Sequence, residues 1–338
     1  MSEVRSYRLR VAEVVPETAD ACSLVFDQPG FDYKPGQFLT LRIPSDRCGS
    51  VARCYSLSSS PHVDSTLKVT VKRTVDGYGS NWICDAVSPG DELESLAPAG
   101  IFTPSSLDGK LLLFAAGSGI TPVMSIVKST LAAGSGRVVL VYANRDEGSV
   151  IFAAELASLV ARYPSRLTVI HWLESVQGLP STGTLAALAR PFAGYEAFIC
   201  GPAPFMTAVR AALSELGVER GRVHIERFKS LGANPFEQAV VTEPSAARTA
   251  SVTVTLDGVR NRYDWPSDMK LLDLLLARGL DAPYSCREGA CSACACILVS
   301  GEVKMLNNDV LEEEDLTDGI RLACQSLPVT DEVEISYE

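Results

Sequence analysis

Four cysteines constrain this chain more than any other feature. Cys286-Arg287-Glu288-Gly289-Ala290-Cys291-Ser292-Ala293-Cys294 places three thiols in a C-x4-C-x2-C run, and Cys324 follows after a long excursion. That spacing is the one plant-type [2Fe–2S] clusters use: three thiolates from one tight loop and a fourth from a distant segment. Gly289, Ala290, Ser292 and Ala293 are small, so the backbone can wrap closely and aim amides at the sulfurs, which tunes the potential. A zinc site usually shows two C-x2-C pairs, and here there is one. A disulfide framework suits short secreted domains, not a chain of 338 residues. Cys296 lies outside the pattern and reads as a structural thiol.

The length allows two to three domains. Met1 to Arg10 carries charges and no apolar core, so no signal peptide is expected. No apolar run approaches the length of a membrane span. Ten cysteines with a cluster-type motif point to a reducing cytoplasm. The net charge of −11 is concentrated in residues 251–338, where seven Lys/Arg face seventeen Asp/Glu. Its densest run is Glu312-Glu313-Glu314-Asp315, which reads as a solvated face or as a docking surface for a basic protein patch. Such acidity argues against nucleic acid.

Residues 1–107 read as a β-rich domain. Strands are expected at Tyr7–Val15, Cys22–Phe26, Phe38–Ile43, Tyr55–Ser60 and Leu67–Arg73, with a helix starting near Ser80. Short strands at this spacing suggest a barrel. Residues 108–230 change rhythm. Leu111–Ala116 is a continuous apolar run, as in a buried parallel strand, and four further strands alternate with four helical segments. This pattern is a doubly wound α/β domain. Residues 231–249 read as a linker, and 250–338 carry the cysteine loop with an alternating strand at Ser251–Leu256, a helix at Lys270–Arg278 and a strand at Ala295–Val299.

Arg53-Cys54-Tyr55-Ser56 opens a barrel strand, Val71-Lys72-Arg73 ends another, and Gly77-Tyr78-Gly79-Ser80 precedes a helix. Together they make an anion site: Arg53 can clamp a phosphate, helix-start amides favour negative charge, Tyr55 can stack on a flat ring and Ser56 can donate to a ring nitrogen. In this order, ahead of an α/β domain, the motifs resemble those of the ferredoxin–NADP reductase superfamily. The resemblance implies an antiparallel β-barrel that binds FAD (FMN in some relatives). Arg53, Tyr55, Ser56, Val71, Lys72, Arg73, Gly79 and Ser80 would contact it. The C-terminal module is expected to be an α+β ferredoxin domain of β-grasp type.

Ala116-Gly117-Ser118-Gly119-Ile120-Thr121-Pro122 joins the first α/β strand to its helix. Its glycines let amides approach a pyrophosphate, and Pro122 suits a first helical position. Gly117, Ser118, Gly119, Thr121 and Pro122 match the superfamily's nicotinamide-nucleotide loop. Arg145 at the end of the second strand can pair with a 2′-phosphate and favour NADPH, whereas Asp146 or Glu147 can accept from a free 2′-hydroxyl. The resemblance favours NADH. Cys200-Gly201-Pro202 ends the fourth strand; in the family this triplet lies beside the nicotinamide, with the Cys near the reactive carbon. Glu226 and Phe228 end the domain near the flavin. Ser56, Cys200 and Glu226 are therefore the expected residues at the reacting atoms. None of the three histidines falls in a motif.

Across its length the chain is similar to the reductases of 3-ketosteroid 9α-hydroxylase systems, which serve a Rieske-type oxygenase in steroid degradation. The reductase of phenylacetyl-CoA epoxidase shares the module order. The implied function is electron transfer from NADH through FAD and a [2Fe–2S] cluster to a terminal oxygenase that docks near the acidic module, with the reductase a monomer. A flavin and iron–sulfur redox sensor, and a diaphorase with no dedicated partner, are the competing readings. An intact nicotinamide loop counts against the sensor.

Overall fold

The computed structural model describes residues 6–27, 31–46, 48–237 and 248–338. Its first sheet contains β1 (Tyr7–Thr18), β2 (Ala21–Phe26), β3 (Phe38–Ser45), β4 (Gly49–Ser56), β5 (Leu67–Lys72) and, after helix α1 (Tyr78–Ala86), β6 (Glu92–Ser95). Every pairing is antiparallel in the order β4-β3-β6-β1-β2-β5. A bridge between Leu57 and Val69 brings the end of β4 onto β5 and closes the barrel. Leu9, Leu24, Leu41 and Val69 fill its interior. β4 begins at Gly49, ahead of the expected Tyr55. Its Gly-Ser-Val-Ala start has little strand propensity, but pairing with apolar β3, Val51 opposite Ile43, imposes the extended form. The expected strand end, Ser58–Ser60, is instead a buried polar junction with the second domain.

The second sheet is parallel. It comprises β7 (Lys110–Ala116), β8 (Arg137–Asn144), β9 (Leu167–Leu173), β10 (Glu196–Cys200) and β11 (Val223–Glu226), in the order β11-β10-β7-β8-β9. Helices α2 (Ile120–Ala133), α3 (Ala153–Arg162), α4 (Glu174–Gln177), α5 (Thr182–Ala189) and α6 (Ala203–Glu215) connect the strands. β7 and β8 are buried after their first residue, as central parallel strands must be when helices cover both faces. Strand order reverses between β7 and β10. Ligands bind outside the carboxyl ends of the strands at such a switch point. The segments leaving those two strands are Gly117–Gly119 and Gly201-Pro202.

The third module pairs β12 (Thr249–Leu256), β13 (Val259–Pro266), β14 (Ala295–Ser300), β16 (Ile320–Leu322) and β18 (Glu332–Ser336) in the order β13-β12-β18-β14-β16. Only β12 and β18 run parallel; the other pairings are antiparallel. Helix α7 (Leu271–Ala277) packs Leu271, Leu272, Leu274 and Leu275 against this sheet with Trp265. β15 (Val303–Met305) and β17 (Ser326–Pro328) form a small second ladder, and α8 (Glu313–Thr317) lies between β15 and β16.

Three interfaces join the modules. Between barrel and α/β domain, Ser125 Oγ donates to the Ser59 carbonyl at 2.6 Å, and Ser60 and Ser129 share a bond of 2.7 Å. Lys128, 5% exposed, pairs with Asp64 at 2.6 Å and Glu155 at 3.1 Å. Between barrel and third module, Thr40 and Ser285 share a bond of 2.7 Å. Leu231 and Phe236, at the start of the expected linker, are buried there with Ala52, Leu96, Cys286 and Ala290. The rest of that linker lies largely outside the described residues. Between α/β domain and third module, Glu312 accepts from Arg210 at 2.9 Å, Arg227 at 2.8 Å and Arg220. Glu314 pairs with Arg220 at 2.7 Å. Half of the expected acidic docking run is thus committed inside the chain. The three arginines hold the Glu312 carboxyl below its usual range against the opposing effect of burial.

Candidate functional site

The R-x-Y-S segment runs down β4 with alternating faces. Arg53 and Tyr55 turn toward the start of α1. A Cβ on Gly79 would lie 2.9 Å from Arg53 Cγ and 3.5 Å from Tyr55 Oη, so only glycine leaves room between strand and helix. Ser80 Oγ accepts from the Thr74 amide at 3.0 Å and fixes the turn before the helix. This glycine-lined cradle beneath Arg53 and a helix start fits a flavin diphosphate. The V-K-R end behaves differently at each residue. The Val71 side chain lies in the barrel core, so only its backbone can face a ligand. Lys72 pairs with Asp20 at 3.6 Å, and Arg73 pairs with Asp85 at 2.6 Å.

The nicotinamide loop is a short 3-10 turn, Gly117–Gly119, that runs into α2. The helix starts at Ile120, two residues before Pro122. The proline is tolerated because first-turn amides have no intrahelical acceptor. Gly117 takes a φ of +53°, and a Cβ on Gly119 would lie 2.1 Å from the Cys200 carbonyl oxygen. The loop therefore rests directly on the end of β10, at the switch point. Thr121 Oγ1 donates to the Ser118 carbonyl at 3.0 Å and braces the turn rather than facing outward. A Cβ on Gly201 would meet Ala116 Cβ at 2.9 Å. Arg145 reaches Asp20 of the barrel at 2.9 Å, so one carboxylate gathers Lys72 and Arg145 from two domains.

Cys200 is fully buried, clustered with Tyr142 and Phe198, so its thiol does not line the cleft. Burial and the neighbouring Glu226 hold this thiol well above its usual range. Glu226 pairs with Cys200 in the β10–β11 register. Burial pushes its carboxyl up to about 8.

In the cysteine loop Arg287, Gly289 and Ser292 all have positive φ. These turns direct amides at sulfur. Glu288 N and Ala290 N donate to Cys286 Sγ at 3.4 and 3.3 Å, Cys286 N donates to Cys291 Sγ at 3.3 Å, and Cys324 N donates to Cys294 Sγ at 3.4 Å. Gln325 Nε2 donates to Cys324 Sγ at 3.6 Å. Cys286 meets both Cys291 and Cys324, and Cys324 also meets Cys294. The neighbouring Cys291 and Cys324 thiols, with the Glu288 and Ala290 amides, draw the Cys286 thiol well below its usual range against the opposing effect of burial. Soft sulfurs brought together under convergent donors suit anionic iron–sulfur ligation. Cys296 lies apart and donates to the Arg321 carbonyl at 3.6 Å.

The barrel, α/β domain and cysteine loop meet at one cleft. Ser56, Cys54, Glu226, Phe228, Ala290 and Cys291 line it. Cys54, the variable residue of R-x-Y-S, was not singled out from sequence. Its Sγ lies 3.6 Å from both Thr40 Oγ1 and Ser285 Oγ, directly against the third module. Strand alternation already assigns it to the face opposite Arg53 and Tyr55, but not what covers that face. Asp20 and the three arginines around Glu312 carry no local motif and were likewise missed.

These features define a three-module flavin, nicotinamide and iron–sulfur oxidoreductase. Three family models match in chain order: an oxidoreductase FAD-binding domain over residues 8–103, an oxidoreductase NAD-binding domain over 113–211, and a 2Fe-2S iron-sulfur cluster binding domain over 254–329. The chain is 58% identical to the 3-ketosteroid-9-alpha-monooxygenase ferredoxin reductase component of Rhodococcus rhodochrous, over 98% of this chain and 97% of that protein. It is 33% identical to one component of the 1,2-phenylacetyl-CoA epoxidase of Escherichia coli, over 98% of each. Among solved structures, phthalate dioxygenase reductase superposes with a TM-score of 0.59 at 26% identity, over 98% of each chain. The chain belongs to the ferredoxin reductase components of multicomponent oxygenases, and specifically to the group of the 3-ketosteroid-9-alpha-monooxygenase reductases.

Proposed function

We propose that this protein carries electrons from NADH, through FAD and a [2Fe–2S] cluster held by Cys286, Cys291, Cys294 and Cys324, to a Rieske-type oxygenase that hydroxylates 3-ketosteroids at C9. The observation that carries the electron path is the shared cleft, in which Ser56 and Phe228 stand beside Cys54 and Cys291. When bound, the flavin would supply two-electron chemistry toward the nicotinamide and one-electron chemistry toward an acceptor that holds one.

The chain's residues supply position and electrostatics. Arg53 and the α1 amides would hold the diphosphate of FAD, and Tyr55 and Ser56 would hold its ring system. Lys72, Gly79 and Ser80 shape the cradle, and Arg73 holds α1 through Asp85. Gly117, Ser118, Gly119 and the amides of α2 receive the nicotinamide nucleotide, with Gly201 and Pro202 closing the other side of the switch point. Thr121 and Pro122 set the turn. Arg145 is already paired with Asp20, which leaves it less available to a 2′-phosphate and supports NADH. The protein works as a cytoplasmic monomer. No helix among the described residues is long and apolar enough to cross a membrane. The oxygenase docks on the third module away from Glu312, whose charge is spent internally.

Glu226 contributes a pH dependence. With its carboxyl raised to about 8 it is neutral at pH 7 and ionises above pH 8. A new negative charge beside the cleft opposes electron arrival. The rate of flavin reduction by NADH therefore falls as pH rises through 8, and Glu226→Gln removes that step. Anaerobic reduction rates from pH 6.5 to 9.5, in both proteins, check this.

Reconstitution tests the whole reading. With the 3-ketosteroid 9α-hydroxylase oxygenase component, this reductase supports steroid hydroxylation with NADH far better than with NADPH. Coupling to the phenylacetyl-CoA epoxidase but not to the steroid oxygenase would overturn it.

A further inference from the structure

Two thiols outside the electron path touch. Cys22 on β2 and Cys84 on α1 are 62 residues apart, yet Cys22 Sγ donates to Cys84 Sγ at 3.3 Å. Both are free, and neither belongs to the cysteine loop. The pair sits where three elements meet. Cys22 is opposite Val71 of β5, and Cys84 Sγ also lies 3.9 Å from the Val71 carbonyl. Four residues before Cys84 is Ser80, in the turn that cradles the diphosphate.

The two sulfurs are not equivalent. Cys22 is 8% exposed, whereas Cys84 is half-buried and open to a small oxidant. The Cys22 donor, and the Arg73 guanidinium nearby, draw the Cys84 thiol below its usual range, while Cys22 is driven up. Cys84 is thus the nucleophile and Cys22 the resolving thiol, the arrangement that favours oxidation to a disulfide. The 3.3 Å gap must close by roughly 1.3 Å to reach the bonded length of about 2.0 Å.

We propose that Cys22 and Cys84 are an oxidisable dithiol that hydrogen peroxide converts to a disulfide, pinning α1 to the barrel. The Cys84 thiolate attacks peroxide, breaking the O–O bond and releasing hydroxide, and becomes a sulfenic acid. The Cys22 sulfur then attacks Cys84 Sγ. The S–S bond forms, the S–O bond breaks, and water leaves with the Cys22 proton. Two thiols lose two electrons in total and one peroxide becomes two waters. A dithiol reductant reverses the change. The bond ties β2 to the helix that opens on the diphosphate, so it stabilises the flavin domain.

The test uses the full holoprotein. It is treated with stoichiometric hydrogen peroxide under anaerobic conditions, its free thiols are alkylated, and peptides are mapped by mass spectrometry without reduction. The expected product is a Cys22–Cys84 cross-linked peptide that dithiothreitol removes, with a thermal midpoint for FAD release raised by at least about 5 °C. Cys48, exposed and single, serves as the control and forms no such link. In Cys22→Ala, Cys84 stops at a sulfenic acid trapped by dimedone; in Cys84→Ser, Cys22 is left unoxidised. Peroxide that leaves both thiols alkylatable in the wild type, or that links either to another cysteine instead, overturns the proposal. Because wild-type mapping decides the matter, a variant that fails to fold does not.

Discussion

Cys324→Ser removes the native iron–sulfur absorbance and takes reduction of a protein acceptor to background, while NADH-driven reduction of ferricyanide keeps most of its rate. The reason is geometric. Cys324 meets Cys286 and Cys294 across the loop and receives the Gln325 amide at 3.6 Å. It is the one thiol of the four that arrives from outside the loop. A serine oxygen is a harder and weaker ligand for iron, and its shorter reach leaves three thiols under donors arranged for four. The barrel and α/β domain have their own cores and are untouched, so the flavin-level reaction continues. Iron analysis and paired assays with ferricyanide and a protein acceptor check this. Unchanged iron with unchanged acceptor reduction removes Cys324 from the ligand set.

Gly119→Ala is the second large effect, at the opposite end of the path. The added methyl would lie 2.1 Å from the Cys200 carbonyl oxygen and 2.4 Å from its carbon, both backbone atoms that cannot rotate away. Either the turn lifts off β10 or β10 shifts, and each displaces the amides proposed to receive the pyrophosphate. Misplacement of about 1 Å costs on the order of a hundredfold in rate. NADH-dependent flavin reduction in this variant falls by about that factor, with FAD content and the visible iron–sulfur spectrum retained. Reduction by dithionite, which needs no nucleotide, stays normal. A variant that loses FAD as well would mean the turn supports the barrel rather than the nucleotide.

Much of this molecule is legible in its sequence because its sites are local. The cluster spacing, R-x-Y-S and the Gly117–Gly119 turn each place several of the proposed ligands within ten residues. The buried strands β7 and β8 announce themselves as apolar runs. What sequence hides is how modules face one another. Glu312 lies in a run of four acids that reads as an outward docking patch, and nothing local reports the arginines at 210, 220 and 227 that enclose it. Leu231 and Phe236 sit in a stretch too irregular to suggest burial, yet they seal the barrel against the cysteine loop. Val71 and Cys200 belong to motifs that read as functional, but their side chains are buried in the core. Short strands such as β6 and β15 have too few residues to show a period.

The central claim is that electrons cross from the nucleotide site to the cysteine loop at the cleft between Ser56, Cys54 and Cys291. Anaerobic rapid-mixing spectroscopy with NADH, and with NADPH in parallel, tests it most directly. The expected result is flavin bleaching followed by bleaching of the iron–sulfur bands in the same molecules, with NADH the faster donor. Flavin bleaching with an intact, fully loaded cluster that stays oxidised would contradict it.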